Sequence, residues 1–459
     1  MSAENTNTII SGAKDYRLSM GEKFAYGFGD CAANVYVAMA STFVTGYYTD
    51  TVGLAAMAVG TMMLLARIFD GATDLVMGAI VDRTKTRWGK ARPWLIWSAP
   101  FMFLGLVLLF SVPSGLSSGG KLAWAYVSYI FMNCIVYTAN NLPYNALLSR
   151  MTLNVQDRAT TASIRFIMTQ LTTLIITAVT MHLVSAVGWT WLSVIYGLVE
   201  VVMLAICFFG CKEHIDADAS GDVKVKDVPL SAALPALLKN RYFYLQALLF
   251  LFLYIFTVEA GAMTYYFCNV VLGNLGILTL TSMCQTIPAM IANFVNPSLV
   301  KRIGKRKMMI AGCALMAFGR FLVGLANTNL PLVLVGITIQ GFGMGPVLSG
   351  VFAMTADVVD YGEWKFTVRS EGLVNSCTSF GMKVGIGLGS ALATWVLAIG
   401  SYNGLAAVQP ESAVSAIRFG FGYLGTILSL VCLLLVLLMN IDKNIKQIQA
   451  DLEVRHAQA

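Results

Sequence analysis

The chain has 459 residues, of which 57% are hydrophobic and only 12% charged, and its mean hydropathy is +0.71. Soluble domains carry roughly 25% charged residues. This composition therefore excludes a soluble protein, or a soluble domain with one anchor. The net charge of +7 does not point to nucleic acid, because the basic residues sit in short loops between apolar stretches.

Those stretches recur from end to end, each near the ~20 residues that a spanning helix needs. They predict an all-α polytopic membrane protein with about twelve helices, over 24–48, 54–80, 94–113, 122–149, 162–187, 189–210, 243–271, 275–299, 308–326, 330–356, 372–399 and 415–440. The polar start of the chain, Met1 to Glu22, carries no cleavable signal peptide pattern. The longest polar interval, Lys212 to Arg241, divides the chain into two halves. The expected organisation is an N-terminal tail (1–23), a six-helix bundle (24–211), a central loop (212–241), a second six-helix bundle (242–440) and a C-terminal tail (441–459).

Helix 1 carries Asp30 and Asn34, four residues apart and so on one face. Asp30 either pairs locally near the membrane edge or faces a cavity; Asn34 lies deeper. Helix 2 holds the most informative residues, Arg67, Asp70 and Asp74, on one stripe of an apolar run. Each ionised group at bilayer depth costs roughly 2.5–3.5 kcal/mol on insertion scales. Such a stripe needs a cavity, partners or a cation, and the carboxylate pair reads first as a cation or proton site. Helix 4 ends in Tyr137, Thr138, Asn140, Asn141, Pro143, Tyr144 and Asn145, a dense polar cluster around a proline that frees a backbone carbonyl. It serves either a ligand cavity or hydrogen bonding between helices. Helix 5 holds Arg165 and helix 11 holds Lys383, with Thr378 before it. Both cations need an anionic partner, and Asp70 and Asp74 are available if the helices converge. Between helices 10 and 11, Asp357, Asp360, Glu363, Arg369 and Glu371 mix both signs. That segment is either a gate closed by salt bridges or a solvated loop. Glu200, Glu259 and Arg320 have no sequence neighbour that explains them.

Nine cysteines are scattered singly and the three histidines lie far apart, so neither a disulfide framework nor a metal-ligand spacing is present. Lysine and arginine concentrate in alternate loops: Arg83 to Arg92, Arg150 with Arg158, the central interval, and Lys301 to Lys307. The intervening loops are nearly free of them, Lys121 being the main exception. The positive-inside rule then places both termini in the cytoplasm. The basic, glycine-containing loops after helix 2 (with Asp82 and Arg83) and after helix 8 echo each other. This repeat resembles the major facilitator superfamily, which implies two six-helix bundles around a midplane site.

Four stretches carry a more specific likeness over nearly the whole chain: Tyr26-Gly27-Phe28-Gly29-Asp30, Ala66-Arg67-Ile68-Phe69-Asp70-Gly71-Ala72-Thr73-Asp74, Arg87-Trp88-Gly89-Lys90-Ala91-Arg92-Pro93-Trp94, and Asp357-Val358-Val359-Asp360-Tyr361-Gly362-Glu363-Trp364. Together they resemble the glycoside–pentoside–hexuronide:cation symporters, the group of the melibiose and glucuronide permeases. The resemblance implies that Asp70 and Asp74 bind the coupling cation, assisted by Thr138, with Thr73 where the melibiose permeases have an Asn. It implies a sugar site at Tyr137, Arg165 and Lys383. Asn34 and Asn141 stand where that branch has sugar-binding aspartates, and Asn145 where it has a stacking Trp. These amides remove two negative charges, which favours the glucuronide and pentoside permeases as the nearer branch. Losing the Asn at position 73 favours a proton over sodium.

The expected function is import of a sugar or glycoside by symport with a proton, or with sodium at Asp70 and Asp74, by alternating access. Asp30, Arg67, Asp82, Arg83, Asp357, Asp360, Glu363 and Arg369 are expected to control the conformational change. No cofactor, no other metal and no nucleic acid is expected. The partners are the sugar, the coupling cation and the lipid of the plasma (inner) membrane, with the monomer as functional unit. Two alternatives are an uncoupled sugar facilitator or sensor on the same fold, and a polytopic prenyltransferase holding magnesium at an Asp pair.

Overall fold

A computed structural model describes residues 17–152, 154–214, 239–366, 371–406, 408–441 and 445–458. The chain forms two compact units, Met1–Val225 and Lys226–Ala459. The first holds α1 (Met20–Thr42), α2 (Ala56–Arg83), α3 (Arg92–Leu109), α4 (Ser118–Met151), and α5 and α6 within one run, Val155–Gly210. The second holds α7 (Arg241–Val271), α8 (Ile277–Ile303), α9 (Lys305–Ala326), α10 (Leu330–Phe366), α11 (Glu371–Ile399), α12 (Glu411–Leu438) and a terminal helix, α13 (Ile445–Gln458).

Local sequence sets the helix starts. Ser19 and Glu22 form a reciprocal capping box, so α1 begins four residues before its apolar run. Asn154 caps α5 by accepting from the Asp157 amide, and Asn240 caps α7 by accepting from the Tyr242 amide. Gly188, at φ 77°, breaks the long run into α5 and α6, as expected from its sequence position. Nine stretches are long and apolar enough to cross a membrane among the described residues, one of them holding both α5 and α6. Ile68, Phe209 and Trp191 remain at least 66% exposed, as side chains that face lipid would be.

Two differences from the sequence expectation matter. Helix α10 does not stop near 356 but continues to Phe366, so Asp357, Asp360 and Glu363 lie on a helix and not in a loop. The C-terminal tail contains a helix, α13, docked on α10 through buried Ile448 and Leu452.

In the second unit α9 and α10 approach closely at glycines. A Cβ on Gly319 would strike the Gly336 carbonyl, and one on Gly336 would strike the Gly319 carbonyl; Gly312 and Gly343 form the same pair one heptad away. Small residues permit this contact where lipid supplies no hydrophobic drive between helices.

Candidate functional site

The polar site of the first unit is built on α1, α2, α4 and α5. On α2, Asp70 is buried and Asp74 half-buried one turn later. Thr138 of α4 stands opposite, with Oγ1 3.1 Å from Asp70 Oδ1 and 3.4 Å from Asp74 Oδ1. A hydroxyl has one proton, so Thr138 donates to one carboxylate at a time and offers lone pairs to anything bound between them. Arg67 lies on the other side, its Nη1 3.7 Å from Asp70 Oδ2. Thr73 does not join the group as donor: its hydroxyl donates to carbonyls of its own helix, Phe69 and Asp70.

Helix α4 presents these residues after a π-helical turn, Phe131–Val136. One extra residue per turn rotates everything after it by about 100°. Tyr137 and Thr138 are thus aimed by a local irregularity next to the site. Tyr137 packs its ring 5.3 Å from Tyr36, whose hydroxyl donates to Asn133 at 3.0 Å.

A second cluster continues from Tyr137. Asn141 donates to the Tyr137 hydroxyl, and Asn145 donates to Asn141 Oδ1. Arg165 of α5 donates from Nη1 to Asn145 Oδ1 at 3.0 Å and from Nε to Asp30 Oδ2 at 2.8 Å. Thr169, one turn beyond Arg165, donates to the same Asp30 oxygen at 2.8 Å. The guanidinium carbon lies 5.4 Å from the centre of the Tyr144 ring. Asn34 donates to the Asp30 carbonyl at 2.9 Å, which leaves its Oδ1 as an acceptor. The chain Thr169–Asp30–Arg165–Asn145–Asn141–Tyr137 therefore meets the carboxylate pair through the peptide that joins Tyr137 to Thr138.

The expectation that Asp70 and Asp74 receive Arg165 is corrected. Arg165 is bound by Asp30, and Asp70 has Arg67 beside it. Helix 1 supplies the partner because α1 packs along α5, bringing together residues 135 apart in sequence. Asp30 is thus a third negative charge in this region and neutralises Arg165. Thr169 and Tyr26, whose hydroxyl accepts from Arg165 Nη1 at 3.5 Å, were missed. Thr169 was findable, since it lies four residues after Arg165 and so shares its face.

The basic ends of the helices are pinned by acids. Glu213, which sequence reasoning passed over, accepts from the backbone amides of Lys90 (3.1 Å), Ala91 (2.9 Å) and Arg92 (2.8 Å) at the start of α3. A carboxylate at a helix N-terminus satisfies orphan amides and the helix dipole together. Asp82 and Arg83 lie on the last turn of α2, Arg83 exposed. The side chain of Asp82, and all of Arg369, fall outside the described residues. In the second unit Lys305, at the start of α9, donates to buried Asp357 Oδ1 at 2.7 Å. Asp360 and Glu363 follow on α10, both half-buried. The end of α10 is tied to the tail helix: Trp364 Nε1 donates to Asp451 at 2.9 Å, and Arg455 donates to the Trp364 carbonyl at 3.0 Å. Lys383 is half-buried on α11, and buried Thr378 donates to the Asn375 carbonyl of its own helix at 2.9 Å.

The profile of the family described as MFS/sugar transport protein matches residues 25–443. An isoprimeverose transporter of Lactiplantibacillus pentosus is 34% identical over 451 residues, covering 95% of this chain and 92% of that protein. A glucuronide carrier protein homolog of Escherichia coli K12 is 30% identical, covering 96% of each. Among solved structures, a bacterial homologue of the human lysosomal transporter Spinster superposes with a TM-score of 0.67 at 12% identity, covering 98% of this chain and 99% of that one. The nucleoside transporter NupG gives 0.61 at 14% identity, covering 91% and 98%. These two likenesses concern the fold alone. This chain is therefore a multi-pass membrane transporter and not an enzyme, and it belongs to the MFS/sugar transport family, among the glycoside–pentoside–hexuronide:cation symporters.

Proposed function

We propose that this transporter imports a glycoside by symport with a proton, through alternating access of its two units. It would do so as a monomer in the plasma (inner) membrane, with both termini in the cytoplasm. The observation that carries the reading is the junction at Tyr137 and Thr138. Neighbouring residues of α4 serve a carboxylate pair on one side and a chain of amides ending in an ion pair on the other. An ion held at Asp70 and Asp74 would fix the hydroxyl of Thr138. A sugar held by Asn141, Asn145 and Arg165 would fix the hydroxyl of Tyr137. Each occupant then stiffens the same turn of helix for the other, which is a coupling between sites in the thermodynamic sense.

One feature supports a proton over sodium. Arg67, 3.7 Å from Asp70, already supplies a positive charge that a metal cation would have to oppose. For the sugar, the Asp30–Arg165 pair carries no net charge, and Asn34, Asn141 and Asn145 both donate and accept. That set suits the hydroxyls of a neutral pentoside or hexoside. A glucuronide would have to draw Arg165 from Asp30 or use Lys383.

The test is uptake into proteoliposomes under an imposed proton gradient, with and without sodium. Accumulation of isoprimeverose, the sugar for which a relative is named, that collapses with a protonophore and that sodium does not restore is the expected result. Equilibration without accumulation would make the protein a facilitator.

A further inference from the structure

Glu259 on α7 and Arg320 on α9 play no part in the transport reading above. Both are at 0% exposure. Neither oxygen of Glu259 has a hydrogen-bond partner among the described residues. Arg320 Nη1 donates to the Phe421 carbonyl at 2.8 Å, while Nε and Nη2 have no acceptor among the described residues. The two groups act on each other electrostatically, yet no Arg320 nitrogen comes within the 4.0 Å of an ion pair with Glu259. Gln340 of α10 is also at 0% exposure, neither amide atom has a hydrogen-bond partner among the described residues, and its backbone packs on Gly319, the neighbour of Arg320.

The guanidinium cannot simply swing to close the gap. Its carbon is 4.3 Å from the centre of the Phe421 ring and 5.3 Å from that of Phe256. Its stem lies over Gly425, where even a Cβ would come within 3.2 Å of Arg320 Cγ. Phe256 stands three residues before Glu259 on the same face of α7, so the carboxylate lies one turn along from the ring that the guanidinium covers. Bare ions at this depth are too costly to persist without polar partners. The missing partner must accept from Nε–H and Nη2–H and donate to the Glu259 oxygens. A cation would be opposed by Arg320 and an anion by Glu259, so the partner is small, neutral, and both donor and acceptor. Two hydrogen bonds through one water oxygen span about 5 Å between heavy atoms, just beyond the reach of a direct pair.

We infer that Glu259 and Arg320, with Gln340 beside them, form a buried hydration site in the second unit, and that its ligand is ordered water bridging carboxylate to guanidinium. The site is independent of the coupling assignment at Asp70 and Asp74.

Radiolytic hydroxyl labelling of the full chain in nanodiscs, in water enriched in oxygen-18, tests this. Radicals form from bound water where it sits, so Phe256 (0% exposed) and Phe421 (1%) should take up heavy oxygen although both are buried. Phe43, equally buried and with its ring 6.2 Å from that of Trp189, serves as the control. Labelling of Phe256 and Phe421 at the Phe43 background would overturn the inference in the native protein alone. The double variant Glu259→Leu/Arg320→Met should lose the label; undiminished labelling in a folded double variant would mean general solvent entry and also overturn it. Should that variant not fold, Glu259→Gln, which keeps an acceptor oxygen and the volume, is expected to retain the label, and its loss there would count against the site.

Discussion

Arg165 Nε donates to Asp30 Oδ2 at 2.8 Å, and the same oxygen accepts from Thr169 at 2.8 Å. One carboxylate oxygen thus holds two donors from a single face of α5, and it leaves Nη1 of Arg165 pointing at Asn145. The pair fixes where the guanidinium sits without adding net charge to the sugar site.

Removing one member is therefore worse than removing both. Asp30→Asn leaves Arg165 without its charged partner and frees it from the amide chain. A charge-assisted hydrogen bond contributes about 1.5–3 kcal/mol, so glycoside affinity should fall roughly ten- to hundredfold. Arg165→Lys should fall as far, because an ammonium cannot serve Asp30 and Asn145 in the fixed fork of a guanidinium. Titration calorimetry of the purified variants checks both. Full affinity in Asp30→Asn would remove the pair from the site.

The carboxylates of α2 make a separable prediction. Asp70→Asn and Asp74→Asn should each abolish accumulation against a gradient and leave sugar exchange between equal pools measurable, since neither touches the amide chain. Thr138→Val, which removes the hydroxyl shared by both carboxylates, should weaken the coupling ion by about 1 kcal/mol, roughly fivefold. Counterflow and gradient-driven uptake in the same proteoliposomes distinguish the two losses. An Asp70→Asn variant that still accumulates sugar would refute the coupling role.

Lys305 and Asp357 predict a stability effect. Asp357 is 2% exposed and its Oδ1 accepts from Lys305 at 2.7 Å. Lys305→Met takes a charged donor from a buried carboxylate and should cost about 1.5–3 kcal/mol, whereas the double variant Lys305→Met/Asp357→Asn should recover most of that loss. Thermal unfolding in detergent reads both. Equal melting temperatures for the single and double variants would show that solvent or another cation serves Asp357.

What the sequence made legible follows from range. Apolar stretches of spanning length need no partner to be recognised, so the helices were readable, as was the Asp70–Asp74 stripe set by four-residue spacing. The partner of Arg165 was not, because packing of α1 on α5 decides it across 135 residues. Glu213 escaped for a different reason: it binds three backbone amides, and amides leave no mark in a side-chain pattern. The stretch from Asp357 to Phe366 looked like a loop because its charges are mixed. Asp357, Asp360, Tyr361 and Trp364 recur at three- and four-residue spacing, however, which is the period of the helix that the structure shows. The polar tail helix, with its buried Ile448 and Leu452, depends on that extension for a surface to dock on.

That docking leads to the last prediction. Trp364 donates its indole proton to Asp451, Arg455 donates to the Trp364 carbonyl, and the Trp364 ring lies 6.2 Å from that of Tyr361. The terminal helix thus supplies a donor to a carbonyl in the last described turn of α10. Trp364→Phe keeps one six-membered aromatic ring and removes the donor with the five-membered ring that carries it, a loss of about 1 kcal/mol for the hydrogen bond. Hydrogen exchange across 445–458 should then quicken by roughly fivefold, with sugar affinity unchanged, because every residue of the amide chain lies in the other unit. Deleting α13 should release the end of α10 around Trp364 and change the rate of exchange transport more than its half-saturation. Were Trp364→Phe to leave exchange across 445–458 as slow as in the native chain, the indole bond would not be what holds the tail helix, and burial of Ile448 and Leu452 alone would account for its docking.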